Sequence, residues 1–265
     1  MKAIILAAGE GTRLRPLTKD VPKCLVKLFE KSLLEWQIDV FRQCKISDIS
    51  VVVGYKKEKM NLANLKFYFN DKFNSTNMVE TLFCAKKEFD DTIIISYGDI
   101  IFEKSVLQKL ISSNEAFSII IDKEWEKYWK IRFENPLDDA ESLKIDELGN
   151  ISDIGQKTDK IKDIEGQFIG LIKIQGEGLE MLKSFYRKTK EIAYRTGKNP
   201  LNSNLPFEKS YLTDLLQGLI KEKVKLKPIF VNNGWLELDS INDYEIYNQM
   251  YEENSISNLI KLEEK

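Results

Sequence analysis

The sequence predicts an α/β fold with a doubly wound, mostly parallel sheet and a small antiparallel insertion. Short apolar segments alternate with helical segments through the first half of the chain, which is typical of parallel strands joined by crossover helices. The segment from about 122 to 164 is aromatic and then acidic, and it contains a hairpin-turn sequence, which indicates antiparallel strands. We expect a single domain over 1–250 that carries this insertion, followed by a polar tail or helix over 251–265.

The first predicted elements form a βαβ unit. Lys2–Ala8 is a short apolar strand. Ser32 and Glu35 have the spacing of a capping box, so a helix begins there, and its apolar face consists of Leu33, Leu34, Ile38 and Phe41. Asp48–Gly54 is rich in valine on both faces, as in a central parallel strand.

The later segments continue the alternation. Glu147–Asn150 reads as the turn of a hairpin within the insertion. Ligand sites of such sheets lie at the carboxyl ends of the strands, so glycines and acids at those ends are candidate site residues. Further strands are predicted over Thr92–Asp99, Phe117–Ile121 and Gly166–Ile174, and helices over about 105–112, 177–195 and 208–222.

Composition limits the partners and the location. Forty basic and forty-two acidic residues give a formal charge of −2, so no overall field attracts nucleic acid or an anionic membrane. The chain shows no leader pattern and no apolar stretch near the ~20 residues of a membrane span, and we expect a cytoplasmic protein. Cys24, Cys44 and Cys84 lack CxxC spacing, which argues against a disulfide framework or a zinc cluster.

The chain contains no histidine. Catalytic triads that need an imidazole and HExxH zinc sites are therefore excluded. Carboxylates, lysine, arginine and hard metal ions remain available for chemistry. This set suits phosphoryl or nucleotidyl transfer better than acyl transfer.

The loop after the first strand combines Gly9 and Gly11 with four cations, which are Arg13, Arg15, Lys19 and Lys23. A glycine turn at the carboxyl edge of a sheet presents backbone N–H groups to an anion, and the cations can neutralise a departing pyrophosphate. The glycine pair alone also fits a turn without a ligand. A third glycine for a dinucleotide fingerprint and the Lys-Ser/Thr pair of a P-loop are both missing.

The run from Leu6 to Lys23, LAAGEGTRLRPLTKDVPK, resembles the signature of the sugar-1-phosphate and phosphocholine nucleotidyltransferases, and the resemblance to this family extends to positions near 75, 99, 157 and 239. The resemblance implies a Rossmann-like fold that transfers a nucleotidyl group and releases pyrophosphate. It assigns catalysis to Arg13 and Lys23. It assigns nucleotide binding to Leu6, Ala7, Ala8, Gly9, Gly11, Thr12 and Gly98.

The same resemblance implies a Mg²⁺ site. Asp99 ends an apolar strand after Gly98, where an aspartate is otherwise a common turn residue. Trp235–Asp239 resembles the second acidic motif of the family, in which Asp239 completes the metal site with Asp99. Two carboxylates and phosphate oxygens form a normal magnesium site. Glu237, as a substrate-binding residue, and Asp243 are supporting candidates, although acids on an edge strand also simply face solvent.

The nucleotide base and the acceptor have weaker motifs. Phe73–Leu82 resembles the base-pocket segment of phosphocholine cytidylyltransferases, with Asn77 and Thr81 at the matching positions, although both residue types also cap helices. Lys157 matches a lysine that meets the acceptor phosphate, but a surface lysine after a turn is equally ordinary. The insertion contains three aromatic residues and an arginine that either close an acceptor pocket, fill the insertion core or contact a subunit. These residues are Trp125, Tyr128, Trp129 and Arg132.

The resemblance favours a Mg²⁺-dependent cytidylyltransferase that joins CMP from CTP to phosphocholine, 2-aminoethylphosphonate or phosphoglutamine for surface polysaccharide or capsule decoration. Gly166–Leu171 and Tyr211–Leu216 also resemble such enzymes. One alternative is a sugar-1-phosphate nucleotidyltransferase that uses UTP, dTTP or CTP. The other is a regulatory homologue that senses nucleotide without turnover. The expected partners are the two small-molecule substrates, and the oligomeric state, including a homodimer, stays open.

Overall fold

The structure is a computed structural model that describes residues 1–262. The helices are α1 (Leu33–Gln43), α2 (Met78–Cys84), α3 (Lys104–Ser112), α4 (Trp125–Arg132), α5 (Glu177–Thr196), α6 (Leu212–Lys221) and α7 (Ile241–Glu252). The strands are β1 (Lys2–Ala7), β2 (Lys27–Leu28), β3 (Lys31–Ser32), β4 (Ile49–Val53), β5 (Lys66–Phe69), β6 (Ile93–Tyr97), β7 (Ile100–Phe102), β8 (Phe117–Asp122), β9 (Glu141–Ile145), β10 (Ile151–Lys157), β11 (Gln167–Ile174), β12 (Lys227–Val231) and β13 (Trp235–Glu237).

A seven-stranded sheet forms the centre of the protein, in the order β12-β8-β11-β6-β1-β4-β5. Strand β11 is antiparallel to both of its neighbours, and the other adjacent strands run parallel. Three two-stranded antiparallel sheets accompany it, formed by β9 with β10, β7 with β13, and β2 with β3. The predicted α/β class with a mostly parallel sheet and an antiparallel insertion is confirmed.

The helices cover both faces of the sheet. Along β1, Ala3, Ile5 and Ala7 point into a core that includes side chains of α1, α3, α4 and α7. The alternating residues Ile4 and Leu6 point into a second core with α2, α5 and α6. Because side chains alternate across a strand, a strand that is buried on both faces must be apolar throughout, as β1 and β4 are.

The insertion differs in part from the expectation. Its second half is the predicted hairpin, in which Gly149 donates its N–H to the Asp146 carbonyl oxygen at the turn. Its aromatic first half is the helix α4 rather than a strand. Trp125, Tyr128 and Trp129 lie on one face at helical spacing and are buried, so their packing determines the helix.

Part of the segment expected to be a polar tail or helix packs against the domain. After α7, Ile256, Leu259 and Ile260 are buried against the first core, so this segment is part of the packed domain. Residues 263–265 of the predicted tail lie outside the described residues. Across residues 1–262 no helix has the length and apolar character needed to cross a membrane.

Candidate active site

The short pairing of β7 with β13 brings two distant acidic segments together. Ile100 lies opposite Glu237 in this pair, and the N–H of Leu238 donates to the carbonyl oxygen of Asp99 at 2.9 Å. Asp99 lies in the turn between β6 and β7, and Asp239 directly precedes Ser240, which caps α7. The two aspartates therefore lie beside the carboxyl ends of β1 and β6.

Lys23 bridges these two carboxylates. Its Nζ lies 2.8 Å from Asp99 Oδ2 and 2.7 Å from Asp239 Oδ1. The other oxygen of Asp239 accepts from the guanidinium of Arg13. Lys23 begins a short 3-10 helix after Pro22, and its side chain passes close to Gly11 of the glycine loop. Two cations thus meet two carboxylates at the edge of the sheet.

The opposite charges of Lys23, Arg13 and Asp239 stabilise the ionised forms of Lys23 and Asp239. Burial acts to lower the pKa of Lys23, but the neighbouring carboxylates outweigh it, so the ammonium stays charged. Burial acts to raise the pKa of Asp239, but Lys23 and Arg13 outweigh it and the pKa is lowered. Burial raises the pKa of Glu237 to about 7, against the opposing effect of Arg132. Lys23 and Asp239 are therefore ionised at neutral pH.

The glycine loop has the shape that an anion site needs. Gly11 has φ 62°, and a Cβ there would approach Lys23 Cβ to 2.9 Å, so glycine allows the lysine to pass close beneath the loop. Thr18 Oγ1 donates to the carbonyl oxygen of Gly11 at 2.7 Å. In the part of the chain that the structure describes, the backbone N–H groups of residues 9–12 have no acceptor. They are available to phosphate oxygens.

The other loop cations are less engaged with the centre. Arg15 pairs with Glu10 at 3.2 Å and is exposed, and Lys19 is exposed as well. Thr12 begins the 3-10 helix that carries Arg13. Arg13 is exposed over 66% of its side chain, although its guanidinium pairs with Asp239.

A cavity of about 130 Å³ lies between the loop and the start of α2. Asn77 caps α2, and its Oδ1 accepts from the N–H of Met78, whereas its Nδ2 has no acceptor within residues 1–262. The Thr81 hydroxyl donates to the Asn77 carbonyl oxygen and accepts from Asn70, so it shapes the wall. The cavity is lined by Leu6, Ala7, Ala8, Gly9, Lys23, Cys24, Phe73, Thr76, Asn77, Met78, Thr81, Gly98 and Asp99.

Gly98 has a packing reason in addition to its predicted place in the nucleotide site. A Cβ at this position would lie 2.7 Å from the carbonyl oxygen of Leu6 and 3.0 Å from Ala7 Cα. The backbone of β1 occupies the position that a side chain would take, and glycine permits the close approach of the two strand ends. Gly98 also lines the cavity beside Asp99.

A second cavity of about 210 Å³ lies on the other side of Asp239. Arg13, Glu237 and Asp239 line it together with two acids of the insertion, Asp139 and Glu141. Aromatic rings form much of the remaining wall: Tyr97, Trp129, Phe168, Tyr211 and Trp235. An apolar, acidic cavity beside the carboxylate pair suits a compact cationic group.

Several candidates lie away from these cavities. Lys157 ends β10, is exposed and lines neither cavity. Of the four insertion residues, only Trp129 lines the second cavity, and Trp125 and Tyr128 are buried in the core. Arg132 is buried as well, between the carboxylates of Glu237 and Asp243.

The donor set at the carboxylate pair fits a magnesium ion. Asp99 Oδ1 is buried and has no hydrogen-bond partner, so one hard oxygen there is left for a cation. Asp239 faces the same position, where Lys23 now balances both charges. Within residues 1–262 no cluster of three or more His, Cys, Asp or Glu is arranged to hold a metal. The remaining ligands would thus be phosphate oxygens and water, as is usual for Mg²⁺.

Two supporting residues were missed in the sequence. Gln37 donates to the carbonyl oxygens of Tyr97 and Ile100 and thereby holds the turn that carries Asp99. Its signal was a polar residue on the apolar face of α1, where buried polar groups need partners. Asn70 follows β5, a short strand without clear alternation, and no local pattern indicated it.

Comparison with known proteins finds a nucleotidyltransferase family and similar proteins that are named cytidylyltransferases. The family model described as a MobA-like NTP transferase domain matches residues 3–136. The chain is 39% identical to the CTP:phosphoglutamine cytidylyltransferase of Campylobacter jejuni over 93% of this chain and 98% of that protein. It is 38% identical to a choline-phosphate cytidylyltransferase of Streptococcus pneumoniae over 45% of this chain and 53% of that protein.

A solved structure supports the same relationship. The CTP:phosphocholine cytidylyltransferase from Streptococcus pneumoniae superposes with a TM-score of 0.69 at 25% identity. The alignment covers 94% of this chain and 98% of that chain. The likeness therefore extends well beyond residue 136, where the match to the family model ends.

Proposed function

The chain belongs to the MobA-like NTP transferase family, and from this premise we propose that it is a Mg²⁺-dependent cytidylyltransferase that joins CMP from CTP to a small phosphorylated or phosphonate metabolite. The observation that carries the proposal is Lys23 held between Asp99 and Asp239 beneath a loop with available N–H groups. Pyrophosphate is the second product. The activated metabolite would serve decoration of a surface polysaccharide or capsule.

The nucleotide would bind between the glycine loop and α2. The N–H groups of residues 9–12 and the exposed Arg13 would hold the β- and γ-phosphates. The base would enter the cavity beside Asn77, whose Nδ2 can donate to an acceptor on the cytosine edge. The choice of cytosine is supported by the names of the similar proteins from Campylobacter jejuni and Streptococcus pneumoniae.

The reaction needs alignment and charge neutralisation rather than a base. An anionic oxygen of the acceptor attacks the α-phosphorus, a new P–O bond forms, and the bond to the pyrophosphate oxygen breaks with its electron pair. Lys23 would leave the carboxylates and contact the α-phosphate or the acceptor, and Arg13 would stabilise the leaving pyrophosphate. The chemistry that Mg²⁺ supplies when bound to Asp99 and Asp239 is neutralisation of phosphate charge. A chain without histidine suffices for this route.

The acceptor would occupy the second cavity. Asp139, Glu141 and Glu237 face it beside aromatic rings, and this lining favours an acceptor with an ammonium group. Phosphocholine, 2-aminoethylphosphonate and phosphoglutamine all carry one. Lys157 remains a proposed contact of the acceptor phosphate, which would require its side chain to turn from the exposed side of the hairpin.

The proposal is tested by following the α-phosphate of CTP. The protein is incubated with Mg²⁺, CTP labelled at the α-phosphorus and, in separate reactions, each of the three acceptors or a hexose 1-phosphate, and the products are separated by charge and mass. We expect the label in a CDP-linked product and unlabelled pyrophosphate. Label that moves only with hexose 1-phosphates would assign sugar activation instead, and label that stays in CTP throughout would favour a regulatory protein.

A further inference from the structure

Arg132 is a fully buried cation that joins two acidic side chains near the site. None of its side-chain surface is exposed. Its Nε donates to Asp243 Oδ1 at 2.9 Å and its Nη2 to Asp243 Oδ2 at 3.2 Å, and its Nη1 donates to Glu237 Oε2 at 2.8 Å. The planar guanidinium matches this two-sided arrangement, which an ammonium cannot reproduce.

Asp243 in turn holds the backbone of Asp239 and Ser240. Its Oδ2 accepts from the N–H of Asp239 at 3.0 Å and from the N–H of Ser240 at 2.9 Å. The same carboxylate thus bonds Arg132 on one side and fixes the residue that carries the Asp239 carboxylate on the other. Asp243 touches neither cavity.

Two tyrosines hold the backbone of Glu237, which lies two residues before Asp239. The N–H of Glu237 donates to the Tyr128 hydroxyl at 2.8 Å, and the Tyr247 hydroxyl donates to the Glu237 carbonyl oxygen at 2.9 Å. Tyr128 lies one turn before Arg132 on α4. Through these contacts, α4 fixes both the backbone and the side chain of Glu237.

We propose that Arg132 is a positioning residue for nucleotidyl transfer: through Asp243 it fixes Asp239, and directly it fixes Glu237. The inference rests on the proposed function, because it concerns the geometry of the metal-nucleotide site. This proposal gives α4 a role, which is to place the guanidinium of Arg132 between Glu237 and Asp243. Side chains that hydrogen-bond to metal ligands without touching the metal have measurable effects on metal affinity.

The test measures binding of Mn²⁺ with CTP by electron paramagnetic resonance, so it does not depend on the acceptor. Arg132→Lys keeps the charge and removes the planar bridge, and Asp243→Asn keeps an acceptor oxygen and removes the ion pair. We expect both variants to bind the Mn²⁺–CTP pair about tenfold more weakly than the wild type. Asp243→Asn is the milder change and serves if Arg132→Lys does not fold.

The matched control is Glu88→Gln. Glu88 is a buried carboxylate paired with Lys2 and Lys66 at the amino end of the sheet, so its loss lowers the melting temperature without touching the site. We expect its Mn²⁺–CTP affinity to equal that of the wild type, even where its melting temperature falls as far as that of Asp243→Asn.

The outcomes separate the two proposals. Wild-type protein that fails to bind Mn²⁺ with CTP would contradict the proposed function itself. Wild-type binding together with unchanged affinity in the folded Arg132→Lys or Asp243→Asn variants would overturn the role of Arg132. Equal weakening in Glu88→Gln would also overturn it, since the effect would then follow stability alone.

Discussion

The backbone N–H of Leu238 donates to the carbonyl oxygen of Asp99 at 2.9 Å, and this bond joins the two acidic segments of the candidate site. It extends the pairing of β7 with β13, strands of three residues each. The carboxylates of Asp99 and Asp239 then share the Lys23 ammonium. The site therefore depends on a small antiparallel pair beside the main sheet.

Loss of either carboxylate should strongly reduce turnover while the fold persists. We expect Asp99→Asn and Asp239→Asn each to lower the rate of pyrophosphate release by about 10²-fold or more, because each removes a negative charge that binds the metal-nucleotide pair. Asp71→Asn is the control, since Asp71 pairs with Lys57 at the surface with 75% of its side chain exposed. Full turnover in either site variant would show that the metal assignment is wrong.

Gly98 should tolerate no side chain. Its Cβ would meet the carbonyl oxygen of Leu6 at 2.7 Å, and relief requires the ends of β1 and β6 to separate. We expect Gly98→Ala to lower the free energy of unfolding in urea by about 1–3 kcal/mol. Gly9→Ala is the matched control, because nothing lies within 4 Å of a Cβ there. Equal stability of the two variants would contradict the close approach.

Glu88 gives stability that should disappear in acid. Burial acts to raise its pKa, but hydrogen bonds from Tyr68, Lys2 and Lys66 outweigh it and lower the pKa from 4.5 to about 2. A carboxylate with a depressed pKa stabilises the fold above its unfolded pKa and loses that contribution as the pH falls through the folded value.

The wild type should therefore exceed Glu88→Gln by up to about 3 kcal/mol at neutral pH. The difference should decline between about pH 4.5 and 2. Urea unfolding of both proteins across this range measures it. A difference that stays constant down to pH 2 would mean that the carboxylate is not held by these partners.

Asn77 and Thr81 should have distinct effects. Asn77→Ala removes an amide from the lining of the cavity beside α2, and if the base binds there we expect about a tenfold higher KM for CTP and a weaker preference for CTP over UTP. Thr81→Val removes hydrogen bonds to Asn70 and to the Asn77 carbonyl oxygen, and we expect mainly lower stability. Steady-state kinetics with both nucleotides is the measurement, and an unchanged preference in Asn77→Ala would count against the base assignment.

Glu141 should affect the acceptor and not the nucleotide. It lines the second cavity and not the first. If the acceptor carries an ammonium group, Glu141→Gln should raise the KM for that acceptor by about tenfold and leave the KM for CTP unchanged. Glu147→Gln, in the turn of the same hairpin, is the control. A rise in the KM for CTP alone would place the acceptor elsewhere.

Local patterns in the sequence predicted much of the central fold. The apolar runs of β1, β4 and β6 and the capping box at Ser32 fixed these elements, because each depends on neighbours in the chain. The helix α4 departs from the antiparallel expectation, because the composition of this segment does not reveal the helical spacing of its buried residues. The burial of Ile256, Leu259 and Ile260 could not be predicted either, because these apolar residues lie in a segment that is polar overall.

The site could be predicted only in part. The glycine loop and Lys23 are contiguous and were recognisable as a unit. The approach of Asp99 to Asp239 depends on the β7–β13 pair, and strands this short carry no periodic signal, so it came from the resemblance to a family. The second cavity gathers residues from several elements, and no sequence pattern could place Glu141 in it while leaving Lys157 outside.

The central claim is cytidylyl transfer, and the most direct test is pyrophosphate release with Mg²⁺. CTP is compared with UTP, dTTP, ATP and GTP, each against a pool of phosphocholine, 2-aminoethylphosphonate, phosphoglutamine and hexose 1-phosphates. We predict release with CTP that persists when the hexose phosphates are withdrawn and stops in Asp239→Asn. Release that requires a hexose 1-phosphate, or that prefers UTP or dTTP, would contradict the claim.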